Sequence, residues 1–159
     1  MGFDADRQLC EQITLELGVP ATTSTLALGD AFRSVGASSY GLVTPYLHEI
    51  QDKVLESFNN EGFTCVAERH LNDLGNFSFS EVTEAQISEM VYQVAKAEPQ
   101  AITIYCTNLR GAKVVAKLEQ ELGIPIFDTV SVVVWKSLTL AGINPKGVLG
   151  WGGLFSGLY

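Results

Sequence analysis

ITIYCTNLRG, residues 102–111, is the stretch on which the fold turns. Four residues of strand character (Ile102, Thr103, Ile104, Tyr105) lead into Cys106, and a helical pattern then runs over 108–122. Open α/β sheets bind ligands outside the carboxyl ends of their strands, so this thiol falls where such a sheet places its site. A helix starting just behind it offers unpaired N–H groups and partial positive charge. Both favour a thiolate or a bound carboxylate.

Working outward, helix and strand alternate along the whole chain. Leu9, Ile13 and Leu17 predict a helix over 4–17 that stops at Gly18. A short strand is expected over 19–22, then a helix capped by Thr23 or Ser24 that runs to about residue 35 and ends at Gly36. Strand 40–44 precedes helix 46–60, with Pro45 suited to the helix's first turn. Strand 63–68, a polar loop over 70–79, helix 80–97 and strand 101–105 follow. Helix 108–122, strand 124–127 and helix 129–140 complete the pattern. Such alternation implies an α/β class with a parallel sheet covered on both faces.

A repeat lies inside this pattern. ELGVPATTSTLALGDAFRSVG, from Glu16, echoes ELGIPIFDTVSVVVWKSLTLAG, from Glu121, at an offset of 105 residues (121 − 16). Two related lobes are expected. The same offset carries Cys106 back to residue 1, so a first copy of the strand–cysteine turn is expected at or before the start of this chain. The alternative is that any αβα unit shows such punctuation.

Composition narrows the function. With 47% hydrophobic residues the chain can build a core. Its net charge of −8 and ten unclustered Lys and Arg argue against nucleic acid or an anionic membrane as partner. The three cysteines, Cys10, Cys65 and Cys106, lack metal-type spacing and read as free thiols of a reducing compartment. The acidic start (Asp4, Asp6) is unlike a signal peptide, and apolar runs are only strand-length, so a cytoplasmic protein is expected. His48 and His70 are expected to be exposed and without acidic neighbours at ligand spacing, a poor metal site. The glycine-rich tail GVLGWGGLFSGLY, with no helix behind it, is expected to dock the chain end rather than bind a nucleotide.

Four segments, GVPATTST (18–25), LVTPYLHEI (42–50), CTNLRG (106–111) and AGINPKGVLGWGGLF (141–155), with the asparagine of GNFSF, carry a resemblance. The chain resembles the aspartate/glutamate racemase superfamily, on the branch of maleate cis-trans isomerase and arylmalonate decarboxylase. That resemblance implies a pseudo-symmetric two-lobed fold with the active site between lobes, no metal and no organic cofactor. It implies a partial first lobe of residues 1–38 plus 128–159 and a second lobe of 39–127 carrying the CTN turn. Under that resemblance, the N-terminal part of the first lobe, with its own cysteine, is expected to lie outside this sequence. Exposed edges left by an incomplete lobe are expected to invite self-association into a homo-oligomer.

The residues also carry chemistry of their own. Cys106, as a thiolate, can add to an activated double bond or move a proton beside a carboxylate; a packing cysteine is the alternative. Thr107 and Asn108 are carboxylate donors or simple helix caps. Tyr46 matches a substrate-contacting tyrosine in the resemblance, or else packs at a helix start. Asn76 matches an asparagine near the substrate, or serves its turn. The hydroxyl cluster Thr22, Thr23, Ser24 and Thr25 reads as capping, and Cys10 as a packing residue. The function expected first is maleate-like cis-trans isomerisation of a small carboxylic or dicarboxylic acid. Arylmalonate-type decarboxylation comes second and aspartate/glutamate racemisation third. From another class comes a catalytically silent, truncated homologue or small-acid binding module.

Overall fold

The computed structural model describes residues 2–158. Four parallel strands, β1 (Ser39–Thr44), β2 (Thr64–His70), β3 (Ala101–Ile104) and β4 (Ile126–Asp128), lie in the order β2-β1-β3-β4. Helices α1 (Phe3–Leu17) and α2 (Ser24–Ser34) precede the sheet. Then α3 (His48–Asn60), α4 (Glu84–Ala95), α5 (Ala112–Leu122) and α6 (Thr129–Leu140) follow the four strands in turn, and a short α7 (Gly153–Ser156) ends the described chain.

The central strands β1 and β3 are almost wholly buried, as near-continuous apolar strands of a doubly covered sheet should be. Side chains alternate across it. Val43, Ile102, Ile104 and Ile126 face α4 and α5, among Ile87, Val91 and Leu118. Tyr40, Leu42, Ala101 and Phe127 face the other way, onto Phe32 of α2, Phe58 of α3 and Val132 of α6. Gly41 lets α4 sit close, since a Cβ there would lie 3.0 Å from Val94 Cγ2.

The repeat survives in three dimensions. Gly18 and Gly123 both close a helix in the left-handed conformation, φ 68° and ψ 17° in each, and each N–H bonds the carbonyl four residues back at 2.9 Å. The helices that follow begin at Ser24 and Thr129, still 105 apart (129 − 24), and pack against one another.

Several boundaries differ from expectation, each for a local reason. Residues 19–22 form no strand; the segment has no sheet partner, and Pro20 has no N–H to donate. Helix α4 begins at Glu84 rather than 80, because Thr83 and Gln86 make a reciprocal capping box and a 3-10 turn occupies Ser78–Glu81. Helix α3 begins at His48, leaving Pro45 and Tyr46 in the turn before it. Helix α5 begins at Ala112, with Gly111 as its cap, and Cys106–Leu109 is a separate turn closed by Leu109 N–H on the Cys106 carbonyl. The thiol is therefore six residues ahead of the helix (112 − 106), not at its first turn.

The tail does contain a helix, α7, and Glu119 ties it down. One carboxylate oxygen accepts from Ile126 N–H at 2.9 Å and the other from Gly153 N–H at 2.7 Å. Phe155 is buried beside it. Hydrogen bonds to a charged acceptor contribute about 1.5–3 kcal/mol each. Glu119→Ala is expected to lower the urea-derived stability by about 2 kcal/mol and to open residues after 145 to limited proteolysis. An unchanged cleavage pattern would contradict the tether.

Candidate active site

Strand order 2-1-3-4 places a topological switch between β1 and β3. The chain leaves β1 towards β2 on one side and β3 towards β4 on the other, so the turns after β1 and β3 diverge and open a crevice. Tyr46 lies on the first turn and Cys106 on the second.

Cys106 is 4% exposed, and Tyr46 packs against the cluster of buried residues that contains it. Burial first, then the neighbouring Cys106, push the Tyr46 hydroxyl far above its ordinary range. It keeps its proton at neutral pH and so has an O–H to donate near the thiol. Burial raises Cys10 within α1, and it pushes Cys65 up to about 11, so both remain thiols at neutral pH.

Asn76 and Asn108 come together, as their place in the turns requires. Asn108 Nδ2 donates to the Asn76 carbonyl at 3.1 Å and to its Oδ1 at 2.8 Å. Thr107 is exposed at the same edge. The loop from Leu71 to Asn76 straps the two turns: Leu71 N–H bonds Thr44 O, Asp73 N–H bonds Pro45 O, and Asn76 reaches the cysteine turn.

Beside this pair opens a cavity of about 510 Å³, lined by Tyr46, Tyr105, Thr25, Ile50, Val54 and Phe58, with Lys53 and Asp6 also on its wall. Cys106 is not on its lining; Tyr46 is the wall they share. Tyr105 is a residue the sequence did not single out. Its hydroxyl pairs with Thr25 Oγ1 at 2.8 Å, which brings the hydroxyl cluster to the crevice. Thr23 instead caps α2, accepting from Leu26 N–H while donating to Asp6. The signal for Tyr105 was available, since it is the last aromatic before the thiol.

The histidines need correction. His70 is only 18% exposed, and its Nδ1 lies 2.7 Å from Glu68 Oε2, while His48 Nε2 lies 3.7 Å from Asp52. Both acids were legible, two residues away on a strand and four away on a helix, where spacing puts side chains on one face. The two rings stack at 5.6 Å. Among the described residues no group of His, Cys, Asp and Glu could hold a metal ion, and no helix is long and apolar enough to cross a membrane.

Asp128, at the carboxyl end of β4, caps α6 through Oδ1, which accepts from Val130 and Ser131 N–H at 3.0 Å. Its Oδ2 is buried and, among the described residues, without a partner. Burial raises its carboxyl above the ordinary range despite those bonds. A native state that keeps its proton longer than the unfolded chain loses stability as pH rises through that interval. Asp128→Asn removes the titration but keeps a capping oxygen. The variant is therefore expected to gain on the wild type as pH rises above the ordinary carboxylate range, read by urea unfolding across pH. A pH-independent difference would contradict the assignment.

The comparisons with known proteins follow this geometry. The family described as arylmalonate decarboxylase matches residues 1–155. Arylmalonate decarboxylase of Bordetella bronchiseptica is 24% identical over 140 residues, 87% of this chain and 58% of that protein. Maleate isomerase of Geobacillus stearothermophilus is 24% identical over 144 residues, 88% of this chain and 56% of that protein. The chain thus spans a little over half the length of these relatives. Among solved structures, the maleate isomerase Iso from Pseudomonas putida S16 superposes with a TM-score of 0.91 at 23% identity, over 100% of this chain and 66% of that one. A cysteine-to-serine mutant of Nocardia farcinica maleate cis-trans isomerase, with a covalently bound succinylcysteine intermediate, superposes at 0.88 and 22% identity, over 97% and 65%. The α/β fold is that of these enzymes, and by the match along nearly its whole length the chain belongs to the arylmalonate decarboxylase family.

Proposed function

We propose that this chain supplies the thiol side of a cofactor-independent, cysteine-dependent isomerase acting on a small dicarboxylic acid, with maleate-like cis-trans isomerisation as its reaction. The observation that carries the reading is Tyr46 packed beside the buried Cys106 at the switch between β1 and β3. Addition of the thiolate to one alkene carbon forms a C–S bond and moves the π pair onto the adjacent carboxylate as an enediolate. The remaining C–C bond is single and rotates. Expulsion of the thiolate re-forms the double bond in the trans arrangement, with no net transfer of protons or electrons. A succinylcysteine, as held by the Nocardia relative, is the protonated form of such an adduct.

The polar residues divide the remaining work. Tyr46 stabilises the anionic sulfur before addition and after expulsion. Asn76 receives both of its hydrogen bonds from Asn108 on oxygen, which leaves Nδ2 as its donor to a substrate carboxylate. Asn108 then orients Asn76, and the exposed Thr107 hydroxyl serves the second carboxylate. In this reading, residues 1–38 with 128–159 form part of one lobe and 39–127 the other.

A second reading, arylmalonate-type decarboxylation, is favoured by the apolar part of the crevice. Ile50, Val54 and Phe58 suit an aryl group better than a four-carbon diacid. One cysteine suffices there, to protonate the enediolate left by carbon dioxide. Incubation with maleate, phenylmalonate and aspartate in deuterated water, followed by proton NMR, separates the readings. Fumarate signals support isomerisation, deuterated phenylacetate supports decarboxylation, and exchange at the aspartate α-carbon supports racemisation. A chain that leaves all three acids unchanged would set the catalytic readings aside in favour of a silent binding module.

A further inference from the structure

Behind Tyr46 runs a line of buried polar groups that the reaction does not touch. Thr44, the last residue of β1, is fully buried, and its hydroxyl donates to Gln51 Oε1 at 2.6 Å. Its oxygen also accepts from Tyr46 N–H at 3.4 Å. Gln51, in the first turn of α3, is 1% exposed, and its Nε2 donates to Glu68 Oε2 at 2.9 Å. The same Glu68 oxygen lies 2.7 Å from His70 Nδ1. The directions are consistent throughout: Tyr46 N–H to Thr44, Thr44 O–H to Gln51, Gln51 N–H to Glu68.

A buried glutamine is uncommon and is kept only where both ends of its amide are satisfied. Here the two ends join β1 to β2, directly beneath the turn of residues 44–47. The loop after β2 holds that turn through its carbonyls, from Leu71 and Asp73 N–H, while the Thr44 hydroxyl accepts the Tyr46 N–H within it. The Tyr46 ring packs beside Cys106 from this turn.

We propose that Gln51 is a positioning residue: by binding Thr44 and Glu68 at once, it holds the turn that aims the Tyr46 hydroxyl at Cys106, an inference that rests on the roles given above to Tyr46 and Cys106. Gln51 touches neither thiol nor crevice. Its effect passes through Tyr46 and vanishes when the Tyr46 hydroxyl is removed.

The test reads the rate at which iodoacetamide alkylates Cys106 in the folded chain at pH 7.5, mapped by mass spectrometry, and so does not depend on turnover. Tyr46→Phe is expected to slow alkylation about tenfold, because it removes the donor to the anionic sulfur. Gln51→Met, of similar length and without polar atoms, is expected to slow it about three- to fivefold on its own and less than about twofold in the Tyr46→Phe background. Equal slowing in both backgrounds would show that Gln51 acts by loosening the fold, and would overturn the inference. Wild-type alkylation by Gln51→Met overturns it as well. A Tyr46→Phe chain that alkylates at the wild-type rate removes the underlying reading of the site. Should Gln51→Met not fold, Thr44→Val against Thr44→Ser decides. Slowing by valine alone supports the relay, and equal rates in the two variants overturn it.

Discussion

Cys106→Ser is expected to reduce turnover of maleate, or of phenylmalonate, by about three orders of magnitude or more while leaving the unfolding midpoint close to wild type. The substitution exchanges one atom. Serine fits the space, so the cluster of Val43, Ile104 and Leu109 around the site is kept. What changes is chemistry. An alkoxide is far less accessible than a thiolate at neutral pH, and as a leaving group it is worse by many orders of magnitude. Isomerisation needs both addition and expulsion, so it suffers twice. Decarboxylation loses only the proton donor, and some racemic product from solvent protonation is then expected. Proton NMR with a chiral separation of the product reads the difference, and circular dichroism confirms the fold. A serine variant that turns over at the wild-type rate would remove Cys106 from the mechanism.

The largest expected effect on stability belongs to Phe32. Its side chain, on α2, is fully buried and meets Tyr40, Phe63, Phe127 and Phe58 at ring-centroid distances of 5.3, 5.1, 5.8 and 6.1 Å. It thus joins β1, β4 and the end of α3 to the helix pair α2 and α6. Phe32→Ala forfeits the transfer of a ring and leaves a cavity among rigid neighbours that cannot collapse, about 4 kcal/mol in all. For a domain of this size that is roughly 12 °C in Tm. Compare the ion pairs of Glu61, just past α3, which accepts from Arg7 of α1 and Arg33 of α2, side chains 42% and 50% exposed. Exposed pairs contribute about 0.2–1 kcal/mol, so the aromatic cluster decides how α2 sits. Phe77→Ala, in the exposed loop, is the control, with a change under about 0.5 kcal/mol. Urea unfolding reads both. A shift in midpoint without a change in slope is expected for Phe32→Ala. A loss below 1 kcal/mol would show that the core repacks.

The alternation of strands and helices was legible because burial writes itself into residue pattern. The all-apolar centres of β1 and β3, and the glycine stops at Gly18 and Gly123, say where elements lie. Starts of helices were harder to place. Thr107 and Asn108 look like caps, but α5 waits for Gly111, whose lack of a Cβ lets the turn pass close to Ile104 and Asp128. Residues 19–22 have strand character and the repeat behind them, yet a strand exists only where a neighbour pairs with it. At the site, Asn76 and Asn108 were each proposed singly, from turns far apart in sequence, and topology brings them together, as it brings Tyr46 beside Cys106. Gln51 was invisible for the opposite reason. On a helix with exposed charges, a lone glutamine reads as surface, and only the register of β1 on β2 reveals what it joins.

Both turns of the crevice hang from the two innermost strands. Tyr105 N–H bonds Val43 O, and Ile102 N–H bonds Pro125 O, so the thiol's own strand is hydrogen-bonded on both sides. Amides of such strands exchange with deuterium only when the whole molecule opens. The sulfur accordingly has no private route to disorder. Loss of its setting on heating and loss of the native state should share one midpoint.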